Sequence, residues 1–203
     1  CSEIAEAKAL VFGEEFVERV GAVKEGIPSI TDYIFMGFDD LAPKWSEPLE
    51  GFLKSAVQGG EDPRIPLEIT DEAALYFTSG TTGTPKPILL THYNLEAACI
   101  IENRHHNQTH EDNFLCIPPL YHTGAKMHWF GNFIVGARAV ILKGIKPEWI
   151  LKSISEEEAT IVWLLVPWAQ DILIAIENGE VNLEDYKLDQ WRLMHIGAQP
   201  VPP

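Results

Sequence analysis

The chain has 203 residues, of which 46% are hydrophobic and 22% charged, enough for one sizeable globular domain and part of a second. Its formal net charge of −15 argues against a nucleic-acid-binding surface and against binding to anionic membranes, because both need clustered lysine and arginine. Three cysteines without CxxC spacing indicate a reducing, cytoplasmic compartment. No apolar run approaches the ~20 residues of a transmembrane helix, so we expect no membrane segment.

Short elements are predicted in the first third of the chain. Strands are expected over residues 9–12 and 29–36, and helices over 14–20 and 47–57. A polar stretch rich in glycine and proline follows over 58–66. Such composition is typical of connectors, and we predict an internal boundary near residues 58–70.

Beyond this connector, strands and helices alternate. Strands are predicted over 73–78, 87–91, 113–117, 137–142, 161–166 and 192–196, and helices over 94–105, 128–135, 147–157 and 168–177. Strands that alternate with helices of this length are typical of an α/β fold. We therefore predict a mostly parallel sheet flanked by helices.

The segment 78–86, which reads TSGTTGTPK, is dense in hydroxyl side chains. Gly80 and Gly83 permit positive φ and close approach of the backbone, so successive N–H groups can converge on an anion. Hydroxyls add donors to phosphate oxygens and ligands for Mg²⁺, and Lys86 adds a positive charge. The predicted phosphate-binding residues are Thr78, Ser79, Gly80, Thr81, Thr82, Gly83, Thr84 and Lys86.

This loop differs from a Walker A motif, in which Gly-x4-Gly-Lys-Ser/Thr opens a helix. Lys86 instead lies between Pro85 and Pro87 and leads into a predicted strand. The phosphates of ATP would therefore be held between two strands. A hairpin turn without a ligand is the alternative, but such turns need only about two to five loop residues.

Four segments resemble, in the same order, the adenylate-forming superfamily of acyl-CoA synthetases, adenylation domains and luciferases. YFTSGTTGTPKP, from Tyr76, is similar to the signature loop of that family, and LTHYNLEAA, from Leu90, to the segment after it. IPPLYHTGA, from Ile117, is similar to the next motif. RLMHIGAQPVPP, from Arg192, resembles the strand and turn that begin the adenine-binding segment. The resemblance covers most of residues 9–203.

The resemblance implies an internal fragment, residues 1–203, of the large N-terminal domain of an AMP-forming ligase. Such an enzyme uses ATP and Mg²⁺ to convert a carboxylic acid to an acyl-adenylate, and then transfers the acyl group to coenzyme A. Thr78 would be a ligand of Mg²⁺. The adenine-binding turn would comprise Gly197, Ala198, Gln199 and Pro200. The C-terminal domain with its catalytic lysine would lie beyond Pro203, so the chain alone is expected to lack ligase activity.

By the same resemblance, His122 would position the carboxylate of the acid, since an imidazole can donate a hydrogen bond to it. A histidine that only satisfies its loop is the alternative. The acyl pocket would be lined by Tyr121, Thr123, Gly124, Trp129, Val166 and Pro167. Trp129, Trp163 and Trp168 would suit an aromatic or medium-length acid, with core packing an equal alternative for each.

Two positions depart from the family pattern. Pro87 stands where the family usually has glycine after Pro-Lys, which removes a backbone donor and bears on closure of the loop over ATP. Ile196 replaces the first glycine of the adenine-binding turn. A separate HHxxxH cluster, from His105 to His110, is conceivable as a metal site. No cysteine or carboxylate completes it in the sequence, so a solvated helix end is the favoured interpretation.

Several alternatives stay open on the sequence alone. The chain could belong to an adenylation domain that loads a carrier protein, or to a luciferase-like oxygenase. It could also be a non-catalytic nucleotide-binding module that reuses the fold. The partners expected are a small carboxylic acid, ATP and coenzyme A, with a homodimer open and no nucleic acid.

Overall fold

The computed structural model describes residues 1–55, 64–78, 83, 85–197 and 199–201. The chain divides into two compact units, Cys1–His92 and Tyr93–Pro203. The boundary predicted near residues 58–70 lies partly outside the described residues and stays a prediction. No helix in the described part of the chain is long and apolar enough to cross a membrane.

The first unit contains a three-stranded parallel sheet. Its strands, in the order β1-β2-β3, are Ala9–Gly13, Asp32–Met36 and Glu47–Pro48. Helix α1 (Val17–Val23) follows a 3-10 turn at Glu14–Phe16, and helix α2 is Leu49–Ser55. Phe12, Val20 and Phe35 form a small core, and Trp45 stacks on Phe12 with ring centroids 5.2 Å apart.

The first unit also contains an antiparallel hairpin of β4 (Glu72–Thr78) and β5 (Lys86–Thr91). The other strand pairs among the described residues are parallel. Neither hairpin strand has a buried residue. Pro87 lies opposite Phe77 and the register continues on both sides of it, so the missing N–H does not interrupt strand pairing.

The second unit is built on a four-stranded parallel sheet in the order β7-β6-β8-β9. The strands are β6 (Asn113–Cys116), β7 (Arg138–Ile141), β8 (Ile161–Leu165) and β9 (Leu193–Gly197). The helices are α3 (His92–His106), α4 (Thr123–Val135), α5 (Pro147–Glu156) and α6 (Val166–Glu177). A helix joins each strand from β6 onward to the next, as parallel pairing requires.

Helices cover both faces of this sheet. Leu115 points to the main core with α5 and α6, whereas Phe114 and Cys116 point to a smaller cluster with Ala125 of α4, as the period of two in a strand dictates. The buried members of the main core are Leu115, Ile117, Ile150, Leu151, Ile154, Ala159, Val162, Leu164, Ile172, Ala175 and Val181. The predicted α/β class is therefore confirmed.

Differences from the predicted elements lie mainly at helix starts. Helix α4 begins at Thr123 rather than at residue 128, with His122 as its N-cap, and ends at Val135, with Gly136 as its C-cap at a φ of 73°. Helix α6 begins at Val166 rather than at residue 168, because proline is tolerated in a first helical turn. The helix predicted from residue 47 begins at Leu49, since Glu47–Pro48 pairs with β2.

Candidate functional site

The carboxyl ends of β6, β8 and β9 share one edge of the second-unit sheet, because the three strands are parallel. His122 lies in the segment after β6, Val166–Pro167 follows β8, and Gly197 ends β9. The structure thus brings three separated segments with predicted site residues to one edge. In open α/β sheets, ligands bind outside this edge.

His122 combines a fixed backbone with an available side chain. Its N–H donates to the Pro119 carbonyl oxygen at 2.9 Å, and its carbonyl oxygen accepts from the Lys126 N–H at 3.1 Å. The exposed imidazole makes no capping hydrogen bond, and its ring centroid is 4.7 Å from that of Tyr121. The imidazole therefore lies at the N-terminus of α4, where the helix dipole favours an anion.

Trp163 of β8 lies beside this edge and faces Gly124 of α4. A Cβ at Gly124 would be 2.4 Å from the indole Cη2, so a side chain there is excluded unless the indole moves. A Cβ at Gly197 would be 3.7 Å from the indole Nε1. This buried N–H has no hydrogen-bond partner among the described residues. A polar atom of Trp163 is thus left available beside the candidate site.

The other predicted residues of this edge differ in burial. Tyr121, Thr123, Pro167, Gln199 and Pro200 are exposed, and Val166 is buried. Trp129 is half-buried and makes a T-shaped contact with Phe133, with ring centroids 5.1 Å apart. Trp168 packs against the main core, which agrees with the core-packing interpretation of this residue.

The described phosphate-loop residues are Thr78, Gly83 and Lys86. Thr78 and Lys86 are exposed and lie opposite each other where the hairpin strands meet the loop. Gly83 has a φ of 78°, a left-handed conformation that glycine adopts readily. Ser79, Gly80, Thr81, Thr82 and Thr84 lie outside the described residues, as does Ala198 of the predicted adenine-binding turn.

Three histidines that no sequence spacing connects also lie together in the second unit. His106 of α3, His128 of α4 and His195 of β9 are grouped with Glu102, and one ligating atom from each lies within 4.8 Å of the others. The prediction that this histidine cluster is a solvated helix end is wrong for His106, because the residue is only 6% exposed. The carboxylate that completes the group is Glu102, which lies one helical turn before His106. The other two histidines of the HHxxxH cluster, His105 and His110, are exposed.

Burial keeps two of these imidazoles neutral near pH 7. It lowers the pKa of His128 to about 3, with smaller contributions from His106 and His195. Burial and the neighbouring His195 also lower the pKa of His106, although Glu102 opposes them. His106 Nε2 and His195 Nδ1 are 3.0 Å apart, so one ring nitrogen donates to the other.

At the amino ends of the strands, the buried Asp112 is the centre of a hydrogen-bond network. Its carboxylate accepts from Arg192 Nε at 2.8 Å and Nη2 at 2.7 Å, from the Thr160 hydroxyl at 2.7 Å and from the Thr109 N–H at 2.9 Å. Burial raises the pKa of Asp112, but these donors outweigh it and lower the pKa to about 2. The Arg138 N–H also donates to the Asp112 carbonyl oxygen, at 3.1 Å. Asp112 thus links the starts of all four strands.

The chain resembles known proteins over most of its length. Residues 1–203 match the family model of the AMP-binding enzyme. The chain is 33% identical over 172 residues to the medium-chain fatty-acid–CoA ligase of Escherichia coli K12, covering 82% of this chain and 29% of that protein. It is 26% identical over 179 residues to the 2-succinylbenzoate–CoA ligase of Bacillus cytotoxicus, covering 88% of this chain and 35% of that protein.

The fold is also similar to that of a solved structure, a long-chain-fatty-acid–CoA ligase from Archaeoglobus fulgidus. The TM-score is 0.80 at 22% identity, and the match covers 98% of this chain and 37% of that one. At this identity the likeness shows the fold alone. The chain spans about a third of the length of the relatives that it matches.

Proposed function

Because the chain belongs to the AMP-binding enzyme family, we propose that it forms the nucleotide- and acid-binding part of a longer ATP-dependent ligase. The ligase would activate a carboxylic acid as an acyl-adenylate and then transfer the acyl group to coenzyme A. The observation that carries this proposal is the convergence of His122, Val166–Pro167 and Gly197 at one carboxyl edge. The relatives named as CoA ligases support the thiol acceptor.

In the first half-reaction, a carboxylate oxygen would attack the α-phosphorus of ATP while the bond to pyrophosphate breaks. Thr78 and Lys86 support binding of the triphosphate, because a hydroxyl donates to phosphate oxygens and an ammonium group offsets their charge. The residues of 79–84 are assigned the same role from their sequence. Thr78 is also the proposed ligand of Mg²⁺, which neutralises charge on the phosphates when bound.

The acid would bind with its carboxylate near His122, at the N-terminus of α4. The exposed imidazole can donate a hydrogen bond to one carboxylate oxygen and so fix the direction of attack. In the second half-reaction, the sulfur of coenzyme A would attack the acyl carbonyl carbon and AMP would leave. The turn 197–200 is proposed to pack on the adenine of ATP and, after the reaction, of AMP.

For the acid, we propose a medium-chain or aromatic carboxylate. Trp163 occupies the space beside Gly124 and would form a wall of the pocket, limiting its length. Tyr121, Thr123, Trp129, Val166 and Pro167 would line the rest of the pocket. The relatives act, by their names, on a medium-chain fatty acid and on 2-succinylbenzoate, which supports this choice. A cytoplasmic location belongs to the same proposal.

Acid-dependent ATP–pyrophosphate exchange in the complete ligase tests the proposal. We expect exchange with medium-chain or aromatic acids and little with long-chain acids. His122→Ala should lower the exchange rate at least tenfold, the scale of a lost catalytic proton or hydrogen-bond donor, and His110→Ala, which alters another exposed histidine, should not. Binding of MgATP without exchange for any acid would contradict the proposal and favour a non-catalytic module.

The identity of the acceptor of the acyl group is tested by adding candidate acceptors to protein that holds the acyl-adenylate. Coenzyme A should release acyl-CoA, detected by mass spectrometry, whereas discharge only by a carrier protein would replace this part of the proposal. We also predict that the 203-residue chain alone catalyses no exchange, since it spans about a third of its relatives. Robust acid-dependent exchange by that chain would contradict this prediction.

A further inference from the structure

The second unit contains a cluster of three imidazoles, two of them buried, that the proposed acyl-adenylate formation does not use. Glu102 and His106 lie one turn apart on α3, His128 lies on α4, and His195 lies on β9. Their ligating atoms lie within 4.8 Å of one another. We propose that these four residues, Glu102, His106, His128 and His195, bind a divalent transition-metal ion such as Zn²⁺.

The donor set is chemically different from the site proposed for Mg²⁺. Imidazole nitrogens suit zinc, copper and nickel, whereas hydroxyl, carboxylate and phosphate oxygens suit magnesium. Three histidines and one carboxylate supply four ligands, the number that zinc takes in structural sites. The cluster therefore predicts a structural ion that the protein binds in addition to its nucleotide-bound Mg²⁺.

The distances fit such an ion with only small side-chain rotations. His106 Nε2 is 3.0 Å from His195 Nδ1 and 3.7 Å from Glu102 Oε2. In a tetrahedral site with Zn–N bonds of about 2.0 Å, neighbouring ligand atoms are about 3.3 Å apart. The two measured spacings lie on either side of this value, so Glu102, His106 and His195 can converge on one ion with small side-chain rotations.

One buried ring nitrogen provides a second, independent observation. His128 is 3% exposed, and its Nδ1 has no hydrogen-bond partner in the described ranges. Buried polar side-chain atoms in folded proteins are normally paired. The His106–His195 hydrogen bond of a metal-free cluster leaves this nitrogen unpaired. Coordination of His128 through Nδ1 would give it a partner.

An ion can reach the cluster from solvent. A groove of about 450 Å³ is lined by Glu102, His105, His106, Leu193, Met194, His195 and Ile196. It includes three of the proposed ligands, while His128 lies deeper, with Phe114 at 4.9 Å between ring centroids. Once bound, the ion would link α3, α4 and β9. We therefore expect it to stabilise the second unit rather than to take part in acyl transfer.

Titration of metal-free protein with Zn²⁺ and Co²⁺ tests the proposal. Chelator-treated protein with Cys1→Ser, which removes an exposed competing thiol, should bind one equivalent of Zn²⁺ and show a raised Tm. Co²⁺ should give the visible absorption bands of a four-coordinate site. His195→Gln and Glu102→Gln should each lower the affinity more than tenfold, because each removes one ligand of four.

The matched controls are His105→Gln and His110→Gln, which remove exposed histidines from the same helix end and the loop after it. Both should bind Zn²⁺ with unchanged affinity. Circular dichroism checks that each variant is folded, and Glu102→Gln replaces His195→Gln if the latter is not. Absence of stoichiometric binding would overturn the proposal, as would binding that survives both ligand substitutions or is lost in the controls.

Discussion

The hairpin of the first unit and the sheet of the second unit carry their site residues in opposite ways. Strands β4 and β5 have no buried residue, yet the loop between them is one continuous motif from Thr78 to Lys86. All four residues of β6 are buried, but the candidate residues at the carboxyl edge of its sheet, His122, Val166–Pro167 and Gly197, come from three separated segments. A ligand held by successive loop groups leaves a contiguous signature, whereas a site at strand ends leaves a scattered one.

The largest expected effect is on activity, and it comes from a substitution in the hairpin that should leave stability unchanged. If the proposed function holds, Lys86→Ala in the complete protein should lower the rate of acid-dependent ATP–pyrophosphate exchange by about 100-fold, as loss of one charge-stabilising group does. The thermal midpoint should not change, because Lys86 is exposed and surface substitutions cost less than about 0.5 kcal/mol.

Lys44→Ala, at another exposed lysine of the first unit, is the matched control and should leave exchange unchanged. If Lys86→Ala leaves the exchange rate normal and lowers the thermal midpoint, Lys86 contributes to folding rather than to ligand binding.

The converse result is expected at Asp112 in the second unit. Asp112→Asn should lower the free energy of unfolding by about 2–3 kcal/mol, because Arg192 loses its charged partner and the buried position 112 loses hydrogen bonds. Urea denaturation measures this change. Asp171→Asn, an exposed residue of α6, should leave stability unchanged. Equal stability of both variants would show that the network does not hold the sheet together.

Acid should weaken the same network. Because the pKa of Asp112 is about 2 in the folded protein against 3.8 unperturbed, its stabilisation is complete above pH 3.8 and is lost as the pH falls towards 2. The contribution is at most about 2 kcal/mol, since Arg192 is 40% exposed and solvent screens its charge. Unfolding free energies measured across this range should fall less steeply in Asp112→Asn; an identical slope would contradict the assignment.

The most local effect is expected at the contact between Gly124 and Trp163. Gly124→Ala places a methyl group 2.4 Å from the indole, and overpacking of this kind costs about 1–3 kcal/mol. Near-UV circular dichroism should report movement of Trp163. Gly26→Ala, where no atom lies within 4 Å of the added Cβ, is the control. Unchanged stability and spectra in Gly124→Ala would exclude the tight contact.

Much of the fold can be predicted from the sequence because its signals are local. Apolar runs predict β6 and β8, and the glycine at position 136 ends α4 where the helical pattern ends. The order β7-β6-β8-β9 cannot be predicted in this way, since it depends on pairing between distant segments. Nor can the start of α4 at Thr123, because the tight turn of His122 and Pro119 sets it.

The candidate site shows the same limit. The Thr/Gly loop and His122 can be recognised because each lies in a contiguous motif. The contact of Trp163 with Gly124, and its packing against the cluster of Phe114 and Ala125, cannot be predicted from the sequence, because both depend on how α4 packs on β8. The histidine cluster is harder still, because a chain spacing of one turn links only Glu102 to His106. Its other members meet only when α4 and β9 pack beside α3.

The position of Asp112 has a consequence for how the candidate site of this chain could be varied. The hydrogen bonds of Asp112 join the strands at their amino ends. The exposed residues Tyr121, Thr123 and Pro167 lie at the carboxyl edge of the sheet and take no part in these bonds. The residues that hold the strands together and the residues of the candidate site thus lie at opposite ends of the same strands. Substitutions at these three positions would therefore alter the proposed acid pocket and leave the hydrogen bonds of Asp112 in place.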